Sequence, residues 1–153
     1  MPKITPFLWF ESQAEEAATF YTSVFKNSKI GNVVRHGDAG PGPRGSAMVV
    51  NFELDGQPFT ALNGGPQFQF TEAISFVVSC RDQAEIDYFW DKLKAPGEKG
   101  QCGWIKDKYG LSWQIVPANM GELLAPKDPA KAGRAMMAMM QMTKIEIQTL
   151  QDA

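Results

Sequence analysis

The chain has 153 residues, 44% of them hydrophobic and 21% charged, with a formal net charge of −2; this is ordinary globular composition, enough for one core or two small fused modules. The balanced charge leaves no basic stripe and argues against nucleic-acid binding, and no apolar run approaches the roughly 18 residues that span a bilayer. The N-terminus, MPKITPFLWFES, lacks the apolar stretch and small-residue cleavage site of a signal peptide, so a cytoplasmic protein with no membrane partner is expected.

Residues 3–10 (KITPFLWF) read as a strand. Ser12 and Glu15 then make a capping-box pattern, and Ala14, Ala17, Ala18, Tyr21, Val24 and Phe25 follow helical spacing to about Asn27. Residues 29–36 read as a second strand, and the Gly/Pro-rich residues 37–45 as a loop. Strands over 46–54 and 57–63 flank Asp55-Gly56, a hairpin turn signal because the turn needs positive φ. Gly64-Gly65-Pro66 breaks the last of them.

The order then restarts. Residues 72–80 read as a strand, Asp82 and Glu85 repeat the capping box, and Ile86, Phe89, Trp90 and Leu93 mark one helix face. After Ala95-Pro96-Gly97 comes a weak stretch, 98–103, then two strands, 104–108 and 111–116, around Tyr109-Gly110. Phe7, Phe20 and Tyr21 fall on Phe76, Phe89 and Trp90 at an offset of about 69, while the two QAE triplets stand one residue out of step. This argues for an internal duplication with modules 1–66 and 67–117, the second one trimmed. Residues 118–153 form a helical C-terminal extension: Asp128-Pro129 is a helix start, and Ala132, Ala135, Met136, Met139 and Met140 give an apolar face. That face reads as core or as the interface of a homodimer.

Cys80 and Cys102 are far apart, without a CxxC, and read as two buried reduced thiols. The single histidine, His36, limits the chemistry: metal sites draw on several His or Cys residues, and a catalytic triad would have to use this one. Its place beside the Gly/Pro loop suggests a solvated loop-edge side chain.

The segments TPFLWFESQAEEAATFY (5–21), GGP (64–66), EAISFVVSC (72–80), CGWIKDKYGLSWQIVP (102–117) and DPAKAGRAMMAMM (128–140) resemble the PhnB-like branch of the glyoxalase/bleomycin-resistance (vicinal oxygen chelate) superfamily. Members have often carried the name 3-demethylubiquinone-9 3-methyltransferase. The resemblance implies an α+β fold of two βαβββ modules around a ligand cleft, frequently in a homodimer. In metal-using relatives the first and last strands of each module supply ligands, and the helix-anchored register puts those positions at Pro6, Asn63, Ala73 and Gln114. Proline and alanine offer no ligand atom, and neutral amides suit a transition metal poorly, so no metal and no cofactor are expected. The first strand runs into FESQAEE without the glycine-rich turn of the usual methyl-donor fold, which disfavours methyl transfer.

The expectation is therefore a small-molecule-binding protein or metal-free enzyme whose organic ligand is unknown. Strand alternation suggests Leu8, Phe10, Asn63, Ser75 and Gln114 toward the ligand, and Phe7, Trp9, Phe76 and Trp113 toward the helices. A metal-assisted isomerase, lyase or dioxygenase and a non-catalytic dimeric interaction protein are the alternatives.

Overall fold

The computed structural model describes residues 2–153, which divide into two compact units, one ending at Phe70 and the other running from Thr71 to Ala153.

In the first unit, β1 (Phe7–Phe10), α1 (Ala14–Val24), β2 (Lys29–Arg35), β3 (Ala47–Leu54) and β4 (Gln57–Asn63) follow the expected order. The sheet runs β1-β4-β3-β2, with β1 parallel to β4 and the other pairs antiparallel. The strand expected from residue 3 begins only at Phe7, directly after Pro6, which has no N–H to give a ladder. At the β3–β4 turn, Asp55 (φ 49°) and Gly56 (φ 80°) are both left-handed, as this tight hairpin requires. One face of the sheet is apolar, with Val50, Phe52, Leu54, Phe59 and Ala61 buried. The fully buried Tyr21 of α1 stacks on Phe52, and Phe52 on Phe59.

The expected Ser12–Glu15 capping box does not form. α1 starts one residue later, after Gln13, without a local side-chain cap. Its Ala14 N–H donates instead to Asn63 Oδ1 of β4 at 2.8 Å. A tertiary acceptor has taken the place of the local one.

In the second unit, β5 (Ser75–Cys80), α2 (Gln83–Leu93), β6 (Trp104–Lys106) and β7 (Ser112–Pro117) build a three-stranded sheet ordered β5-β7-β6. The Asp82 cap does form, accepting from Glu85 N at 2.9 Å. The fold is α+β, as expected, but the second module is one strand short of βαβββ. Its counterpart of β2 is the segment 94–103, where only a Gln101–Trp104 bridge remains.

The helices α3 (Met120–Leu124), α4 (Pro129–Met140) and α5 (Ile147–Asp152) lie in the second unit rather than apart from it. Asp128 caps α4 by accepting from Ala130 N. Ala135, Ile145 and Leu150 are buried among Met120, Leu123, Leu124, Met139 and Met142. The backbone between α4 and α5 docks on the loop before β6: Cys102 N donates to Met142 O and Gly103 N to Thr143 O, both at 2.8 Å. Gln83 at the start of α2 reaches both Ile145 O and Ile147 N.

Lys144 adds an ion pair with Asp87 of α2 at 2.8 Å. The hydrogen bond from Lys144, then that from Gln83, holds the Asp87 carboxyl below its ordinary pKa. A depressed acid contributes stability that is present above its unfolded pKa and lost as pH falls through the folded one. Lys144→Met is therefore expected to lower stability at neutral pH by up to about 1 kcal/mol, as for a half-exposed pair. The difference from the parent should vanish below the carboxylate range, as read by urea midpoints against pH.

Candidate functional site

Each sheet has a face turned away from its helix, and the registers say which residues occupy it. In the second unit Phe76, Val78 and Cys80 of β5 lie beside Trp113, Ile115 and Pro117 of β7 on the buried side. The other side carries two rows across the three strands. One is Ser75–Ser112–Lys106; the next is Val77–Gln114–Trp104. Gln114 Nε2 donates to Ser75 Oγ at 2.9 Å. Val77 is 56% exposed and Trp104 36%. Ser75 and Gln114 thus stand where alternation placed them, beside apolar side chains, with Phe76 and Trp113 on the helix side.

The first unit has the opposite phase from the one expected. Leu8 and Phe10 are buried, and they lie beside Ala61 and Asn63 on the face that meets α1. Phe7, 60% exposed, and Trp9 lie on the helix-free face with Thr60 and Leu62. The reason is one residue. Glu11, Ser12 and Gln13 separate β1 from α1, whereas only Arg81 and Asp82 separate β5 from α2. The helices match with Ala17, Tyr21 and Val24 on Ile86, Trp90 and Leu93, but the buried strand positions match with Leu8 and Phe10 on Val78 and Cys80, one place further. A register carried from helix to strand is then wrong by one, and that turns every side chain to the other face. The displaced QAE triplets carried this signal.

Asn63 is consequently a structural residue. It accepts from Ala14 N and donates from Nδ2 to Ala47 O at 3.0 Å, which ties β4 to the start of α1 and to β3. Asn63→Ala is expected to cost about 1–3 kcal/mol, since it orphans a helix N–H and a strand carbonyl; urea unfolding measures it. The polar group on the helix-free face of this unit is instead Thr60, whose Oγ1 donates to Asn51 Oδ1 at 2.9 Å.

With the phase corrected, Phe7, Trp9, Thr60 and Leu62 rather than Asn63 occupy the helix-free face of the first sheet, and the helix-free strand positions of the two sheets offer hydroxyls, amides and apolar groups. Among the described residues no three His, Cys, Asp or Glu side chains come together in a way that could hold a metal ion. The donor set does not fit the metal of the metal-using relatives.

His36 is not solvated. It is buried, and the 37–45 loop folds over its ring so closely that a Cβ on Gly42 would lie 2.6 Å from the imidazole. Its Nδ1 has no hydrogen-bond partner among the described residues. Gly40 and Gly42 of this loop are what allow the close packing, since a side chain at either would strike the ring.

Both cysteines are free, but only Cys80 is buried, and Cys102 is partly exposed at φ 53°. Burial, with Glu85 and Asp82 nearby, pushes the Cys80 thiol up to about 12. A thiol reagent on the native protein should modify Cys102 first and reach Cys80 only on unfolding. Equal rates at both sites would contradict this arrangement.

Each unit thus presents a small sheet with one helix-covered and one helix-free face. The chain belongs to the 3-demethylubiquinone-9 3-methyltransferase family, whose model matches residues 2–116; this is the PhnB-like branch expected from the sequence. The match stops short of the DPAKAGRAMMAMM segment. Among solved structures, the chain is similar to a Bacillus cereus PhnB protein described as a 3-demethylubiquinone-9 3-methyltransferase. The two are 39% identical over 75% of this chain and 99% of that one, with a TM-score of 0.68. A Pseudomonas aeruginosa protein shares the fold at 18% identity and a TM-score of 0.63, over 76% of this chain and 98% of its own. A glyoxylase/bleomycin resistance protein/dioxygenase domain from Frankia sp. EAN1pec is more distant, at 12% identity, a TM-score of 0.49, and coverage of 76% and 93%. No curated protein matches the chain. No helix among the described residues is long and apolar enough to cross a membrane.

Proposed function

We propose that this protein binds a small organic ligand on the helix-free face of its second sheet, without a metal ion. One observation carries the reading: Gln114 stands between the exposed apolar side chains Val77 and Trp104 and donates to Ser75 in the next row. A few fixed polar groups within apolar walls suit an organic molecule, with the polar groups setting its orientation. Leu8, Phe10 and Asn63 take no part, because they are core and scaffold. Methyl transfer is not part of the reading, since Glu11–Gln13 between β1 and α1 has no glycine to cradle a methyl donor. Small molecules that co-purify with the native protein, identified by mass spectrometry, should be retained by the parent and lost from Gln114→Ala. Retention of the same molecules by both proteins would sink this assignment.

A homodimer is the reading that suits the tail. Met136, Met137 and Met140 of α4 are all exposed, and apolar groups set together on a helix call for a partner surface. Met137→Glu with Met140→Glu should give a monomer by light scattering, and an unchanged mass would remove α4 from any interface.

A further inference from the structure

Ser112 begins β7, the central strand of the second sheet, and is 1% exposed. Its Oγ has no hydrogen-bond partner among the described residues. A buried hydroxyl without an acceptor is costly and uncommon, and it marks a place where something is missing or has been displaced.

Its neighbours narrow what that something is. By register Ser112 lies between Ser75 of β5 and Lys106 of β6, on the helix-free face. Lys106 Nζ is held at 2.8 Å by Glu72, from the segment that leads into β5. Lys106 is the register neighbour of Ser112, and the ion pair ties β6 to the segment that precedes β5. Both partners are well exposed, so the pair is easily exchanged for an equivalent one. The hydrogen bond between them keeps Glu72 ionised to lower pH and Lys106 protonated to higher pH than usual. The Glu72 carboxylate is therefore an internal partner already paired with the one cation of this row, and it leaves Ser112 without an acceptor among the described residues. One row along the strands, Val77 and Trp104 offer an apolar surface.

We propose that the second unit binds a small carboxylate with an apolar or aromatic body. The carboxylate displaces Glu72 from Lys106 and accepts a hydrogen bond from Ser112, and the body lies against Val77 and Trp104. This deepens the organic-ligand reading above and rests on it: Gln114 orients the body, and the Ser75–Ser112–Lys106 row selects the charge.

The test uses benzoate and its neutral counterpart benzamide, titrated into the full-length protein and followed by the amide and indole NMR signals of residues 75–77, 104–106 and 112–114. Benzoate should saturate in the millimolar range, with benzamide about tenfold weaker. Glu72→Gln removes the internal competitor and should tighten benzoate about two- to fivefold, as expected for loss of an exposed ion pair. Lys106→Met should weaken benzoate about tenfold and leave benzamide within about twofold, a charge effect that general damage to the fold would not reproduce. Ser112→Ala should weaken benzoate with the thermal midpoint retained. Equal binding of the two compounds, no binding of benzoate, or a Glu72→Gln protein no tighter than the parent overturns the proposal. If both compounds bind and both weaken in Gln114→Ala but not in Lys106→Met, the organic-ligand reading survives while the carboxylate selectivity falls. If Gln114→Ala changes neither, the wider reading falls too.

Discussion

Deleting residues 127–153 is expected to unfold the second unit rather than trim it. The deletion removes Ala135, Ile145 and Leu150, all buried at 1% exposure or less. Burial of side chains the size of isoleucine and leucine is worth roughly 1.5–3 kcal/mol each. It also strips the acceptors of Cys102 N and Gly103 N and two of the partners of the Gln83 amide, leaving that amide only Asp87. Together these losses reach several kcal/mol, against the roughly 5–15 kcal/mol of a typical domain. The truncated protein should lose the cooperative transition of this unit in urea, or aggregate. The point substitution Ile145→Ala should reproduce part of the effect, about 2–5 kcal/mol. The contact is specific: Gly103 has φ 86°, and a Cβ there would lie 3.1 Å from Ile145 Cγ1 and 3.0 Å from Ile115 O. A truncated chain as stable as the parent would show that the tail only rests on the surface.

Asp107→Ala should be the most damaging single substitution near the site. Asp107 sits in the turn between β6 and β7 and is 2% exposed. Its Oδ1 accepts from Tyr109 N at 2.8 Å and Leu111 N at 3.1 Å, and its Oδ2 accepts from the Trp113 indole at 2.8 Å. Removing the carboxylate leaves at least these three donors without that acceptor. Each buried donor so orphaned costs about 1–3 kcal/mol, partly relieved where water can enter, so a total of roughly 3–5 kcal/mol is expected. Asp107→Asn keeps one acceptor oxygen and should fall between the two. Because the carboxylate fixes the strand that carries Ser112 and Gln114, binding of benzoate should weaken along with stability. A loss below about 1 kcal/mol in chemical denaturation would mean that the turn holds itself without its aspartate.

The candidate site was half legible. Ser75 and Gln114 could be read from alternation because β5 and β7 are short apolar strands whose phase is set by their own residues. Lys106, Ser112 and Trp104 could not, since what joins them is the register between strands separated in sequence. The first module misled by one residue, the extra one between β1 and α1. No local preference reports that count's effect on facing, because either phase leaves an aromatic or aliphatic residue on each side of FLWF.

By itself the sequence determined what depends on neighbours along the chain: the repeated strand–helix order, the Asp82 and Asp128 caps, the Asp55-Gly56 turn, and the family. These follow from backbone preferences and side-chain periods that act within a few residues. The tertiary structure alone decided which acceptor capped α1, which face Leu8, Phe10 and Asn63 took, that His36 is covered, and that Ser112 is buried beside an ion pair it does not share. Each of these depends on groups brought together from distant positions, where burial and hydrogen-bond satisfaction outweigh local preference.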